Sequence, residues 1–274
     1  MRSVRLTIIA CALSAAAALA AWNQESGPDA QDHTPLNFAG ERLVYKIQWD
    51  PPWYFFFLPS MEAGEAELQM NQKEYNGSKV LEVRLKGRSS GTLVKMAGMK
   101  IEDEFVFLTR PESFCTLTSS SRIREGKRKR QIDIEYLGEV RQLHIREIDE
   151  SAVPPKTKKD ETKDGIPACV HDPLSALYLF RQSPLQEGYA QNFMLANDDK
   201  IKEVKALVEK RENIQGPTGK AAAWRVTPTA LMGGLFKEGG QFRIWLSADE
   251  KKVPLQFEVK VKLGRISGKL KSTQ

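Results

Sequence analysis

The 274-residue sequence is poor in the side chains that build metal centres and cross-linked scaffolds. It holds three Cys, at 11, 115 and 169, and three His, at 33, 144 and 171. That number and scatter exclude a Cys-rich zinc module and a disulfide framework. No His-Glu-x-x-His pair and no phosphate loop occurs, so the usual signatures of zinc hydrolysis and nucleotide binding are missing. No internal repeat is visible, which argues against a solenoid or propeller. Charge of one sign is not in large excess either. There are 41 Lys+Arg against 35 Asp+Glu, a formal net of +6. With 41% hydrophobic and 28% charged residues, the composition is that of a folded globular chain and excludes global disorder.

Only one long apolar run exists, and it stands at the N-terminus. Arg2 and Arg5 precede the uncharged stretch from Leu6 to Leu19, followed by the small residues of Ala18-Leu19-Ala20. This is the pattern of a secretory signal peptide over residues 1–20. An uncleaved anchor is the competing reading, but the run is short of the roughly 20 apolar residues a span needs. Acylation at Cys11 fits poorly, because few apolar residues precede it. Removing residues 1–20 takes away two arginines and no acid, leaving a net of +4. Export would place the mature chain, without a membrane span, away from intracellular nucleic acid. It would also let Cys115 and Cys169 pair in an oxidising compartment, although two free buried thiols are an equal alternative.

Residues 21–37 are polar and turn-rich and read as a flexible leader. From Phe38 onward the texture is that of strands. Leu43, Tyr45, Ile47 and Trp49 alternate with polar neighbours, as do Ile132, Ile134 and Tyr136, and Val253 through Val261. Asn76-Gly77 suits a tight hairpin turn. Residues 149–168, with three prolines and several lysines, read as a polar loop. Asp172-Pro173 opens the one convincing helix, over about 172–182, with Leu174, Leu177, Tyr178 and Arg181 at helical spacing. Residues 200–212 fit helix or strand equally. About a dozen strands and one helix predict an all-β domain over 38–272: a curved antiparallel sheet or an open or half β-barrel.

Several segments together resemble an exported bacterial family of unknown function, domain family DUF3108. They are Gly40-Glu41-Arg42-Leu43-Val44-Tyr45, Ile123-Arg124-Glu125-Gly126-Lys127, Asp172-Pro173-Leu174-Ser175-Ala176-Leu177-Tyr178, Arg243-Ile244-Trp245-Leu246-Ser247 with Pro254-Leu255, and Lys260 through Leu270. The resemblance implies a β-rich protein of the periplasm or outer envelope in a Gram-negative-type cell. It favours strand over helix for 200–212, and it supplies no catalytic residues, cofactor or metal.

The residues offer few sites of their own. His171-Asp172 is the one His–acid neighbour pair, but Asp172 is already the expected helix cap, so no catalytic role follows. Trp53, Tyr54, Phe56 and Phe57 lie in five consecutive aromatics between prolines. Either some are exposed for a partner, ligand or membrane surface, or the segment plugs a barrel mouth. Arg124, Lys127, Arg128, Lys129 and Arg130 surround one turn and would meet anionic headgroups or acidic glycans, or else form a solvated hairpin that blocks edge pairing. Leu231 to Phe236 is a lip over a cavity or a plain connection. Trp245 completes the binding candidates. The expectation is a non-catalytic envelope protein binding or carrying an apolar or amphipathic envelope molecule in a β-sheet cavity. A structural or assembly protein binding another envelope protein or a polysaccharide is the alternative, and an enzyme with an unrecognised site is a third reading.

Overall fold

The edges of a large sheet must be paired, covered or charged, and this chain uses all three devices. The computed structural model describes residues 37–55, 57–91, 100–229, 242–261 and 264–274. The expected signal peptide, the leader up to residue 36, Phe56 and the segment Leu231 to Phe236 lie outside the described residues. The elements are β1 (Arg42–Asp50), a single 3-10 turn (Trp53–Phe55), β2 (Met61–Tyr75), β3 (Ser78–Ser89), β4 (Glu102–Thr109), β5 (Thr116–Glu125), β6 (Arg128–Leu137), β7 (Gln142–Asp149) and β8 (Lys156–Asp164). Helix α1 (Pro173–Gln182) follows, then β9 (Ala190–Asn197), β10 (Lys200–Gly216), β11 (Gly219–Thr229), β12 (Phe242–Ser247), β13 (Pro254–Val261) and β14 (Gly264–Thr273).

All fourteen strands form one antiparallel sheet in the order β8-β7-β6-β5-β4-β3-β2-β1-β14-β13-β12-β11-β10-β9. Two meanders are thus joined where the first strand pairs with the last, from Leu43 opposite Thr273 to Asp50 opposite Arg265. The two edge strands, β8 and β9, are consecutive in sequence. The segment between them must therefore travel from one margin of the sheet to the other.

That segment closes the curl. Thr116 N–H donates to the Val170 carbonyl (2.8 Å), His171 N–H donates to the Met194 carbonyl (2.8 Å), and Ala196 N–H donates to the His171 carbonyl (2.8 Å). Residues 170–171 thereby stitch the start of β5 to the outer edge of β9. A disulfide between Cys115 and Cys169 reinforces the stitch, which decides between the two readings of those cysteines. Ile132, Tyr136 and Leu143 from β6 and β7 pack against Ile166, Val170 and Ala196, so strands far apart in the sheet order share one cluster. Side chains complete the seam: Lys159 and Lys163 of β8 both reach Asp199, in the β9–β10 turn. Burial alone would raise the Asp199 carboxyl, but these two ammonium groups outweigh it and hold it at about 2.

The strand β8 corrects the loop expected over 149–168. Its sequence, Lys-Thr-Lys-Lys-Asp-Glu-Thr-Lys-Asp, has no apolar period because the strand has no dry face. It pairs with β7 through backbone bonds and surface polar contacts such as Gln142–Asp164 and His144–Asp160, and its lysines guard the outer edge against further pairing. Residues 200–212 belong to strand β10, as the family pattern implied.

Helix α1 begins as its sequence demands. Asp172 is buried and its carboxylate accepts from Leu174 N–H (2.8 Å) and Ser175 N–H (3.0 Å), with Pro173 in the first turn where a missing N–H costs nothing. The other oxygen accepts from the Thr116 hydroxyl (2.9 Å), which fixes the helix start to β5. At its far end, Arg181 is only 1% exposed. Its guanidinium grips Glu41 with two 2.7 Å bonds, while Tyr178 donates its hydroxyl to the same carboxylate (2.8 Å). The guanidinium also lies 4.3 Å from the centre of the Phe38 ring. Two of the segments that carry the family resemblance, around Glu41 and along α1, therefore meet in one buried polar cluster.

Candidate functional site

The inner face of the curled sheet is not filled. A partly open cavity of about 330 Å³ lies between the two meanders. One wall comes from β1 to β3, with Tyr45, Ala66, Leu68 and Leu85. The floor is the start and inner face of α1, through Leu174, Ala176, Leu177 and Phe180. The facing wall is Phe193 and Leu195 of β9, Val204 and Ala206 of β10, Val226 of β11 and Ile244 of β12. Alternate residues of each strand face one side, so this wall is the dry half of four amphipathic strands. Phe257 of β13 lines it too, its ring placed over Gly268 of β14, where a Cβ would overlap it. A tilted contact with Tyr45, centroids 5.7 Å apart, holds that ring from the other side.

The chemistry of the lining is uniform. Among the described residues its one polar side-chain atom is the Tyr45 hydroxyl, and this donates to the Pro254 carbonyl at 2.8 Å. Burial pushes that phenol far above its ordinary range, so it stays neutral. Among the described residues the walls thus carry no charge, and the one hydroxyl is already engaged. Binding pockets usually mix an apolar lining with a few converging polar groups. Here the described lining holds no free polar side chain.

The residues expected to bind lie elsewhere. Trp53 is 85% and Phe57 67% exposed, with Tyr54 also at the surface and edge-on to Trp53, centroids 5.8 Å apart. None of these three lines the cavity. Arg124 pairs with Glu150, Arg128 with Glu125 (3.0 Å) and Arg130 with Glu147 (2.8 Å), whereas Lys127 and Lys129 are exposed at the β5–β6 turn. No strand from β4 to β8 lines the cavity, so the hairpin does not border it. Trp245 is buried on the opposite face of β12 from Ile244, its indole N–H donating to Glu212 (2.8 Å).

Two groups with catalytic or metal-binding character have structural work. His171 hydrogen-bonds the Ser113 carbonyl through Nε2 (3.1 Å), and burial lowers its pKa despite that bond and the nearby Asp172. It also lies close to Cys115 and Cys169, but the two sulfurs are bonded to each other and are not thiolate ligands. Gly87-Arg88-Ser89-Ser90-Gly91 spells the Gly-x-Ser-x-Gly letters of a nucleophile elbow. Ser89, however, lies within β3, where its hydroxyl accepts the Ile101 N–H at 2.8 Å, and not on a strand-to-helix turn.

A cavity in the sheet was expected, but its lining residues could not be named, because they are assembled across the whole chain. The one signal in the sequence was Val204, Ala206 and Val208, an apolar period broken by a small residue, matched by Ala66 across the cavity.

The family model described as "Protein of unknown function (DUF3108)" matches residues 44–271. The chain belongs to this family. The match covers both meanders and α1, so the cavity is built from DUF3108 sequence. No curated protein matches the chain. Among solved structures, it is similar to a beta-barrel-like protein of domain of unknown function DUF1849 from Brucella abortus, at 9% identity and a TM-score of 0.56, covering 87% of this chain and 98% of that one. At that identity the likeness concerns the fold.

Proposed function

We propose that this DUF3108 protein is an exported, non-catalytic envelope protein that carries an apolar or amphipathic envelope molecule in the cavity between its two meanders. The single observation behind this reading is the lining: walls and floor all apolar, the one hydroxyl engaged, and about 330 Å³ of space. An apolar cavity of about 150 Å³ already stays dry and takes up benzene. On the scale of ~24 cal/mol per Å³, an enclosed void of this size would cost about 8 kcal/mol if left empty. That figure is an upper bound for a partly open cavity, and it is comparable with the whole stability of many domains. An occupant of hydrocarbon character removes that cost. The Cys115–Cys169 disulfide and the signal-peptide pattern over 1–20 both support an oxidising, exported compartment.

The reading is tested with a fluorescent fatty acid. The parent is expected to bind it and to release it to unlabelled acyl chains. Ala206→Trp, which fills the cavity from β10, is expected to weaken binding at least about tenfold, the loss expected when the apolar contact of several methylenes is blocked. Undiminished binding by a folded Ala206→Trp protein would remove the cavity as the site.

A further inference from the structure

We propose that one rim of the sheet docks this protein onto an anionic lipid surface. Antiparallel alternation places the β1–β2, β3–β4, β5–β6, β7–β8 and β13–β14 connections along the same margin. Backbone bonds knit them together: Ser90 N–H to the Ala63 carbonyl (3.0 Å), Gly126 N–H to Lys100 (2.8 Å) and Glu150 N–H to Lys129 (2.9 Å). On the other side, a Cβ on Gly264 would overlap the Asp50 carbonyl, so the β13–β14 turn is pressed against the chain entering the aromatic turn.

This rim gathers exposed apolar groups. Six large hydrophobic side chains stand out from the surface among the described residues, and four of them, Trp53, Tyr54, Phe57 and Val153, lie here. Val153, at the β7–β8 connection, is 97% exposed. The rim also carries surplus positive charge. Most of its acids have a basic neighbour: Asp50 has Arg265, Glu62 Lys46, Glu102 Lys100, Glu125 Arg128, Asp149 Lys158 and Glu150 Arg124, while Asp103 accepts from the Arg124 N–H. Lys127, Lys129 and Lys260 remain exposed beyond those pairs. The aromatic turn and the lysine turn are four strands apart, roughly 19 Å along the rim at ordinary strand spacing, which makes two separate points of attachment.

This combination fits a lipid interface better than a protein partner. Trp and Tyr favour the headgroup boundary, and Lys is attracted to anionic headgroups, whereas Lys is depleted from protein–protein interfaces. The cavity reaches the same margin. Phe242, which lines it, pairs with Val259, which pairs with Ile266, which pairs with Trp49, one residue before Asp50. The docking surface goes beyond the carrier reading and does not depend on it, because none of its residues lines the cavity.

Co-sedimentation of the full chain with vesicles tests it. Vesicles of phosphatidylglycerol and phosphatidylcholine in equal parts are expected to bind at least about tenfold more protein than phosphatidylcholine alone, given about fivefold per lysine near an anionic surface. Lys127→Glu with Lys129→Glu is expected to abolish that preference, and Trp53→Ala with Phe57→Ala to weaken binding several-fold. Brominated phosphatidylglycerol is expected to quench the parent's tryptophan emission, with part of that quenching lost in Trp53→Phe. This readout separates the rim from any lipid affinity of residues 1–20. All these variants lie outside the core and are expected to keep the parent's fatty-acid binding. Equal partition to both vesicle types, or unchanged binding and quenching in the variants, overturns the proposal; so does loss of a protein partner by the variants without loss of vesicle binding.

Discussion

Replacing Arg181 by Ala is expected to lower the unfolding free energy by about 3–5 kcal/mol, the cost of leaving a buried charge without its partner. Arg181 is 1% exposed, and its fork, together with the Tyr178 hydroxyl, is what the Glu41 carboxylate has in place of water. Urea denaturation reads the effect as a lower midpoint with an unchanged slope. The sign of the cluster's own contribution is a separate matter. Taking charges out of water is costly, so the combination Glu41→Leu, Tyr178→Phe and Arg181→Met, which removes all three polar partners at once, is expected to recover most of the loss. If Arg181→Ala unfolded at the parent's midpoint, the cluster would not anchor α1 to β1.

The second large effect concerns the seam. Replacing Cys115 and Cys169 together by Ser is expected to cost about 2–4 kcal/mol, because the bridge closes a loop of 54 residues whose entropy is restored on its removal. The loss is expected to reach the cavity as well. Cys169 lies three residues before Asp172, the cap of the helix that floors it, and the neighbouring hydrogen bonds from Thr116 to Val170 and Asp172 would have to hold the segment alone. The double variant should therefore bind the fluorescent fatty acid more weakly than the parent at 25 °C and lose it at lower temperature on heating. A thermal midpoint equal to the parent's, read by near-UV circular dichroism, would contradict the role given to the seam.

How much of this was legible depended on the physics behind each element. Strands β1, β6 and β13 could be read because each has one wet and one dry face, and alternation records that directly. Helix α1 could be read to within a residue because Asp172-Pro173 states its start in side-chain chemistry. Strand β8 could not, since an edge held by backbone bonds and ion pairs leaves no apolar trace. The seam was half legible: the two cysteines permitted a bridge, but only the curl of the sheet brings them within a Cα separation of 5.2 Å. A cavity was expected from the fold, but its lining was not legible. Ala66 and Ala206 are ordinary small strand residues until pairing across the chain sets them on facing walls. Conversely, the conspicuous features of the sequence, Trp53, Tyr54 and Phe57 of the aromatic run and the basic turn, fall on the rim and do not line that cavity.

Occupancy of the cavity between the meanders decides the carrier reading. Native mass spectrometry of the protein purified from its own envelope, without detergent exchange, tests it most directly. The predicted result is a mass above that of the polypeptide by one amphiphile, released on unfolding and identifiable by fragmentation. A spectrum showing the bare polypeptide alone, under conditions that keep a known lipid carrier loaded, would contradict it.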